Sequence, residues 1–173
     1  VLFTEGNLNN HIGVPLTLLR IRPEHDIAVI ETGANHPGEI TLLSNIVQAD
    51  FGLITNVGRA HLEGFGSFEG VKQTKGELYD NLYKRGKQIF LNTSDEDLVQ
   101  MAIGRGFVLG KDALPYIEGV VDAVTPFVEM KWKPTNVQPW RTTTTNLVGS
   151  YNIANLCAAV TIGLYFGITL EQI

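Results

Sequence analysis

The chain has 173 residues, 44% of them hydrophobic and 18% charged, with a formal net charge of −5. That length and apolar fraction suffice for one domain with a substantial buried core. The 13 Lys and Arg residues are scattered along the chain, which argues against a nucleic-acid footprint or a polybasic membrane patch. The acidic balance is still compatible with a phosphate ligand, because backbone amides and metal ions hold phosphate as well as basic side chains do.

The opening VLFTEGN shows no charged start followed by an apolar core, so no signal peptide is expected. The next segment, GNLNNHIGVP from Gly6 to Pro15, gathers Asn7, Asn9, Asn10 and His11 ahead of the apolar run PLTLLRI. Such a loop suits a polar ligand, and Asn and Gly equally dominate turns and helix caps. The run IAVIE reads as a strand from Ile27 to Glu31, followed by a helix from about Pro37 to Val47 and a strand FGLITN from Phe51 to Asn56. A loop, NVGRAHLEGFGS, then leads to a long helix from about Phe68 to Arg85, a strand QIFLN from Gln88 to Asn92, and a helix from about Asp95 to Ile103. Apolar strands alternating with helices predict an α/β fold, a mostly parallel sheet flanked by helices.

From about Gly106 to Thr145 the character shifts to short β-rich runs such as PFVEMKW and RTTTTN, which predicts a small antiparallel extension. After GSYN the pattern turns helical from about Asn152 to Phe166, and ITLEQI looks like the start of another element. The apolar stretch there is interrupted by Thr161, Gly163 and Gly167, too short and mixed for a membrane span. The single cysteine, Cys157 in LCAAV, has no internal partner and reads as a small buried residue, in keeping with the cytoplasm.

Lys75 is the most informative position. Val71, Lys75, Leu78 and Leu82 fall at i, i+4, i+7 and i+11 and put an ammonium on the apolar stripe of its helix. Its stem snorkels to water, or the group meets a carboxylate, loses its proton or is modified. Glu31 closes an apolar strand at the end where parallel sheets bind ligands, and is either a site carboxylate or a solvated strand end. His61 follows the next strand and can face the same crevice, although loop histidines are commonly surface residues. Asn152 and Asn155 lie in the first turn of the late helix, where Asn152 reads most simply as an N-cap. His25, His36 and the two tryptophans form no metal-ligand spacing, and a Walker A sequence is absent.

Taken together, GNLNNHIGVPLTLL, ETGANHPGEI, NVGRAHLEGFGS, KGELYDNL and GSYNIANLCAA resemble, in order and spacing, the central domain of the Mur ligases. The likeness covers nearly all of residues 1–173 and is greatest to the type that joins D-alanyl-D-alanine to UDP-N-acetylmuramoyl-tripeptide. It implies a P-loop NTPase-like ATP-binding domain, truncated on its N-terminal side, of a cytoplasmic peptidoglycan-precursor ligase that uses ATP and Mg2+ and forms an acyl phosphate. By position it makes Glu31 and His61 magnesium ligands and Lys75 the lysine that many members carbamylate. It gives Asn152 and Asn155 to the adenine nucleotide, with Tyr151 where the family usually has histidine, and Asn7, Asn9, Asn10 and His11 to the UDP-linked peptide. Sister ligases, folylpolyglutamate synthetase-like enzymes and a non-catalytic module that kept the fold stay open at this point.

Overall fold

The computed structural model describes residues 1–58, 65–134 and 139–173. Strand β1 (Leu2–Phe3) pairs in parallel with β2 (Ala28–Val29), and helix α1 (Gly13–Leu18) lies between them in sequence. Helix α2 (Glu39–Val47) leads to β3 (Phe51–Gly52), α3 (Phe68–Lys84), β4 (Gln88–Leu91), α4 (Glu96–Ile103) and β5 (Ala113–Pro115). Strands β3, β4 and β5 form a parallel sheet in that order. An antiparallel sheet follows, β6 (Glu118–Val124), β7 (Phe127–Lys133) and β8 (Arg141–Val148), and a 3-10 turn at Ser150–Asn152 opens helix α5 (Ile153–Tyr165).

The α/β architecture expected from the alternating pattern is present, with three local differences. Only Ala28 and Val29 of Ile27–Glu31, and Phe51 and Gly52 of Phe51–Asn56, lie in ladders. An apolar run does not by itself make a ladder, which needs a neighbouring backbone, and Ala28 and Val29 are exposed even where they pair. Strand β5, inside the stretch read as antiparallel, instead continues the parallel sheet, and the change comes at Glu118. Its Pro115 has no N–H to donate, which an outer strand tolerates. The final ITLEQI makes a turn, Gln172 N–H donating to the Thr169 carbonyl at 3.0 Å, and Leu170 and Ile173 cover the Trp132 cluster.

Helix α3 organises the parallel half. Ser67 caps it, its hydroxyl accepting from Gly70 N–H at 3.0 Å, and Lys84 sits favourably in its last turn. Val71, Tyr79 and Leu82 are at most 1% exposed. Tyr79 and Leu82 join Ile89 and Leu91 of β4, Leu98 and Met101 of α4, and Phe107 in one core. In the other half, Met130 and Trp132 of β7 pack on Val160 of α5, and Trp132 donates to the Thr143 hydroxyl at 2.9 Å. The opposite face of that sheet carries ion pairs, Lys131 with Asp122 at 2.7 Å and Lys133 with Glu118 at 3.1 Å. Cys157 is buried as expected, and burial raises its thiol pKa, keeping it protonated and inert.

Gly76 costs helix propensity in the middle of α3, and the structure shows its use. A side chain there would collide with the Arg105 guanidinium. That group bonds Asp80 at 2.8 Å and the Met101 carbonyl at 3.1 Å, tying α3 to the end of α4. In denaturant unfolding, Gly76→Ala in an Arg105→Ala background is expected to gain about 1 kcal/mol of helix propensity. In the wild-type background the displaced guanidinium is expected to cancel that gain, and equal effects in both backgrounds would refute the coupling.

Candidate functional site

The stripe that buries α3 fixes the outlook of Lys75. Its side chain is half-buried, and its amine donates to the Asn56 carbonyl at 2.6 Å, in the segment that follows β3. Lys75 makes no ion pair among the described residues. Of the readings open to the sequence, the amine neither escapes fully to water nor meets a carboxylate of the described residues; a backbone carbonyl takes it. Desolvation lowers its pKa below the ordinary lysine value. Asn56 also shapes its own loop, its side-chain oxygen accepting from Gly58 N–H at 3.1 Å. That partner was unmarked in the sequence except by its place at the end of FGLITN.

Glu31 lies two residues beyond β2 and is exposed. One carboxylate oxygen accepts from the Asn9 amide at 2.7 Å, and its backbone N–H donates to the Thr4 hydroxyl at 2.9 Å. The Asn9 carbonyl also accepts from Gly33 N–H at 2.8 Å, and a side chain at Gly33 would come within 2.9 Å of the Asn9 amide group. The glycine therefore permits the loop to close on the strand end. The structure thus brings Asn9 and Glu31, which the sequence separates, into one unit.

The other residues of the first loop divide by task. Asn10 caps α1, its side-chain oxygen accepting from Ile12 N–H at 3.0 Å and Gly13 N–H at 2.9 Å. Asn7 and His11 are exposed. At the other end of the chain Asn152 occupies the N-cap position of α5, but its side chain does not cap. Its amide donates to the Val148 carbonyl at 3.1 Å, and its oxygen accepts from Asn155 at 3.3 Å, so the pair fastens the helix to the end of β8. The capping expectation is corrected there: the preceding 3-10 turn holds Asn152 in a helical conformation, from which an N-cap side chain does not reach its own helix amides. Tyr151 stands 78% exposed beside them. His61 lies outside the described residues.

The donor chemistry bears on a divalent ion. Among the described residues no three His, Cys, Asp or Glu side chains converge on a common point. Glu31 keeps one carboxylate oxygen unbonded by the described residues and suits a hard cation, whereas the Lys75 ammonium does not and would have to become an anion. An apolar hollow between β4, α4 and β5, lined by Leu91, Val99, Ala102 and Phe107 among others, contains none of these groups.

The Mur ligase middle domain model matches residues 1–163. The chain belongs to that family. It is 39% identical over 181 aligned positions to an Escherichia coli UDP-N-acetylmuramoyl-tripeptide--D-alanyl-D-alanine ligase, covering 99% of this chain and 39% of that protein. A Haemophilus influenzae ligase of the same name is 58% identical over 89 residues, 51% of this chain and 20% of that protein. Among solved structures, MurF from Acinetobacter baumannii superimposes with a TM-score of 0.83 at 30% identity, covering 99% of this chain and 38% of that one. Thermotoga maritima MurF, in complex with ADP, shares the fold with a TM-score of 0.77 at 23% identity, over 96% and 39% of the two chains. This Mur ligase domain therefore spans about two-fifths of the length of the relatives that match it throughout.

Two stability experiments test the geometry. Asn10→Ala removes the cap of α1 and is expected to cost about 1 kcal/mol, against under about 0.5 kcal/mol for the exposed Asn7→Ala. Lys75 has a lowered folded pKa, so its unfolded form binds more protons between that value and the ordinary lysine pKa, and stability rises with pH through that window. Lys75→Met should thus be more stable than the parent at pH 7, with an advantage that shrinks as pH rises towards the ordinary lysine pKa. An advantage that grows with pH in paired thermal melts would show the sign to be wrong.

Proposed function

We propose that this domain is the nucleotide-and-metal part of a cytoplasmic ATP-dependent ligase that adds D-alanyl-D-alanine to UDP-N-acetylmuramoyl-tripeptide. The observation that carries the reading is the amine of Lys75, half-buried against the Asn56 carbonyl with a lowered pKa. A lowered pKa enlarges the neutral fraction of the amine, and only the neutral amine adds to carbon dioxide, forming a carbamate and releasing a proton. The carbamylated side chain is the anion that a magnesium-binding role for Lys75 requires. The names of the relatives and the ADP bound to the Thermotoga maritima neighbour support the same substrates.

In this reading the peptide carboxylate attacks the γ-phosphorus of ATP, giving an acyl phosphate and ADP. The amine of D-alanyl-D-alanine then attacks the acyl carbon, loses a proton and displaces phosphate. Mg2+, when bound, offsets the negative charge that ATP and the carboxylate bring together. Glu31, His61 and carbamylated Lys75 are its proposed protein ligands. Asn9 holds the Glu31 carboxylate in one orientation, so Glu31 offers its other oxygen without a search of rotamers. Asn152 and Asn155, with Tyr151 alongside, are assigned to the adenine nucleotide. In the first loop Asn7, Asn9, Asn10 and His11 are assigned to the UDP-linked peptide, Asn7 and His11 having exposed side chains for direct contact and Asn9 and Asn10 shaping the loop.

The domain carries no Walker A sequence, and we infer that the phosphate-binding loop and the amine-reading contacts come from other parts of the full-length protein. The isolated domain is then expected to release no phosphate from ATP. The full-length protein should release phosphate only when both the UDP-linked tripeptide and D-alanyl-D-alanine are present. Lys75→Ala should lower that rate by about 100-fold or more, and bicarbonate should raise the rate of bicarbonate-depleted wild-type protein. Turnover with single amino acids instead of the dipeptide would assign a sister ligase, and none with any amine would leave a binding module.

A further inference from the structure

Glu77 stands two residues after Lys75 on α3 and makes three hydrogen bonds to a different helix. One oxygen accepts from Gly38 N–H at 2.7 Å, and the other accepts from Thr41 N–H at 2.8 Å and the Thr41 hydroxyl at 3.0 Å. These are free donors at the start of α2, whose own N-cap residue, Gly38, has no side chain to satisfy them. A carboxylate there is favoured twice, by the exposed N–H groups and by the positive end of the helix dipole. The carboxylate is supplied from α3, the helix that carries Lys75.

Beyond Glu31, which Asn9 and Thr4 hold, three more backbone N–H groups of the segment leading to Gly38 are bound. Gly33 is bound by Asn9, and Asn35 and His36 donate their backbone N–H groups to Glu39 at 2.6 and 3.1 Å. Those ties come from the first loop and from α2 itself. Glu77 alone among these partners belongs to α3, so it is the bridge between the backbone leading from Glu31 and the helix bearing Lys75. The two helices meet again at Asn81 and Asn45, 2.8 Å apart, one helical turn farther from the site.

We propose that Glu77 is a positioning residue of the ligase, holding the loop that leads from Glu31 in register with Lys75 so that both reach one magnesium ion. This rests on the ligase reading above. In the full-length protein, Glu77→Gln keeps the size of the side chain but replaces one accepting oxygen by a donor that faces donors. It should lower kcat at least about tenfold and raise the Mg2+ concentration for half-maximal rate severalfold, as expected when reacting groups are displaced by a fraction of an ångström. Amide exchange at Gly38 and Thr41 should quicken in the same variant. Thr41→Ala, which removes one of the three bonds from the other side, should give a smaller change in the same direction and serves if Glu77→Gln does not fold. Asn81→Ala should loosen helix packing, seen as a lower melting temperature, yet leave kcat and the Mg2+ dependence at wild-type values. Wild-type kcat and Mg2+ dependence in Glu77→Gln, or an equal loss of kcat in Asn81→Ala, would overturn the proposal while the ligase reading stands. A wild-type protein without turnover on any amine would overturn the ligase reading itself.

Discussion

The seating of α3 on β4 and α4 through Tyr79 and Leu82 determines most of what lies around it. Leu82, taken fully out of water, contributes about 1.5–3 kcal/mol, and with the buried ring of Tyr79 it fixes the rotation of the helix about its axis. Once that rotation is set, Lys75 has no choice of outlook: it lies on the same stripe and meets the Asn56 carbonyl in the segment after β3. The partial desolvation of one ammonium is a smaller cost than turning two or three core side chains into solvent. An awkward charge is thus maintained by apolar contacts that have no chemistry of their own.

The same helix then distributes its neighbours. In three successive residues, Lys75 reaches the segment after β3, Gly76 makes room for Arg105 just past α4, and Glu77 reaches the start of α2. One turn of helix therefore touches three other parts of the fold. Arrangements of this kind place chemical groups on rigid secondary structure instead of on free loops, which narrows the positions they sample.

The sequence made the alternating α/β order, the antiparallel extension and the buried outlook of Lys75 legible because each follows from local periodicity. Helix α3 begins and ends within a residue of its expected bounds, since a serine cap and a long apolar stripe both mark it. Strand extents were less legible at Ile27–Glu31 and Phe51–Asn56, because a ladder depends on a distant backbone that periodicity does not report. The same holds for the partners at the site. Nothing local to Asn9 says that it binds Glu31, 22 residues on, and nothing local to Asn152 says that its side chain turns back to β8. The family likeness supplied roles for residues but not these contacts, which arise only when separate segments fold together.

The twin attachment of Asn9, by side chain to Glu31 and by backbone to Gly33, has a thermodynamic consequence for any ligand that uses the first loop. Chain freedom is surrendered when the domain folds and not when the ligand arrives. A preorganised loop leaves more of the contact energy available as affinity, because little remains to be ordered. It also makes recognition exacting: a ligand of slightly different shape meets a surface that does not adapt, and the misfit appears in full as lost binding.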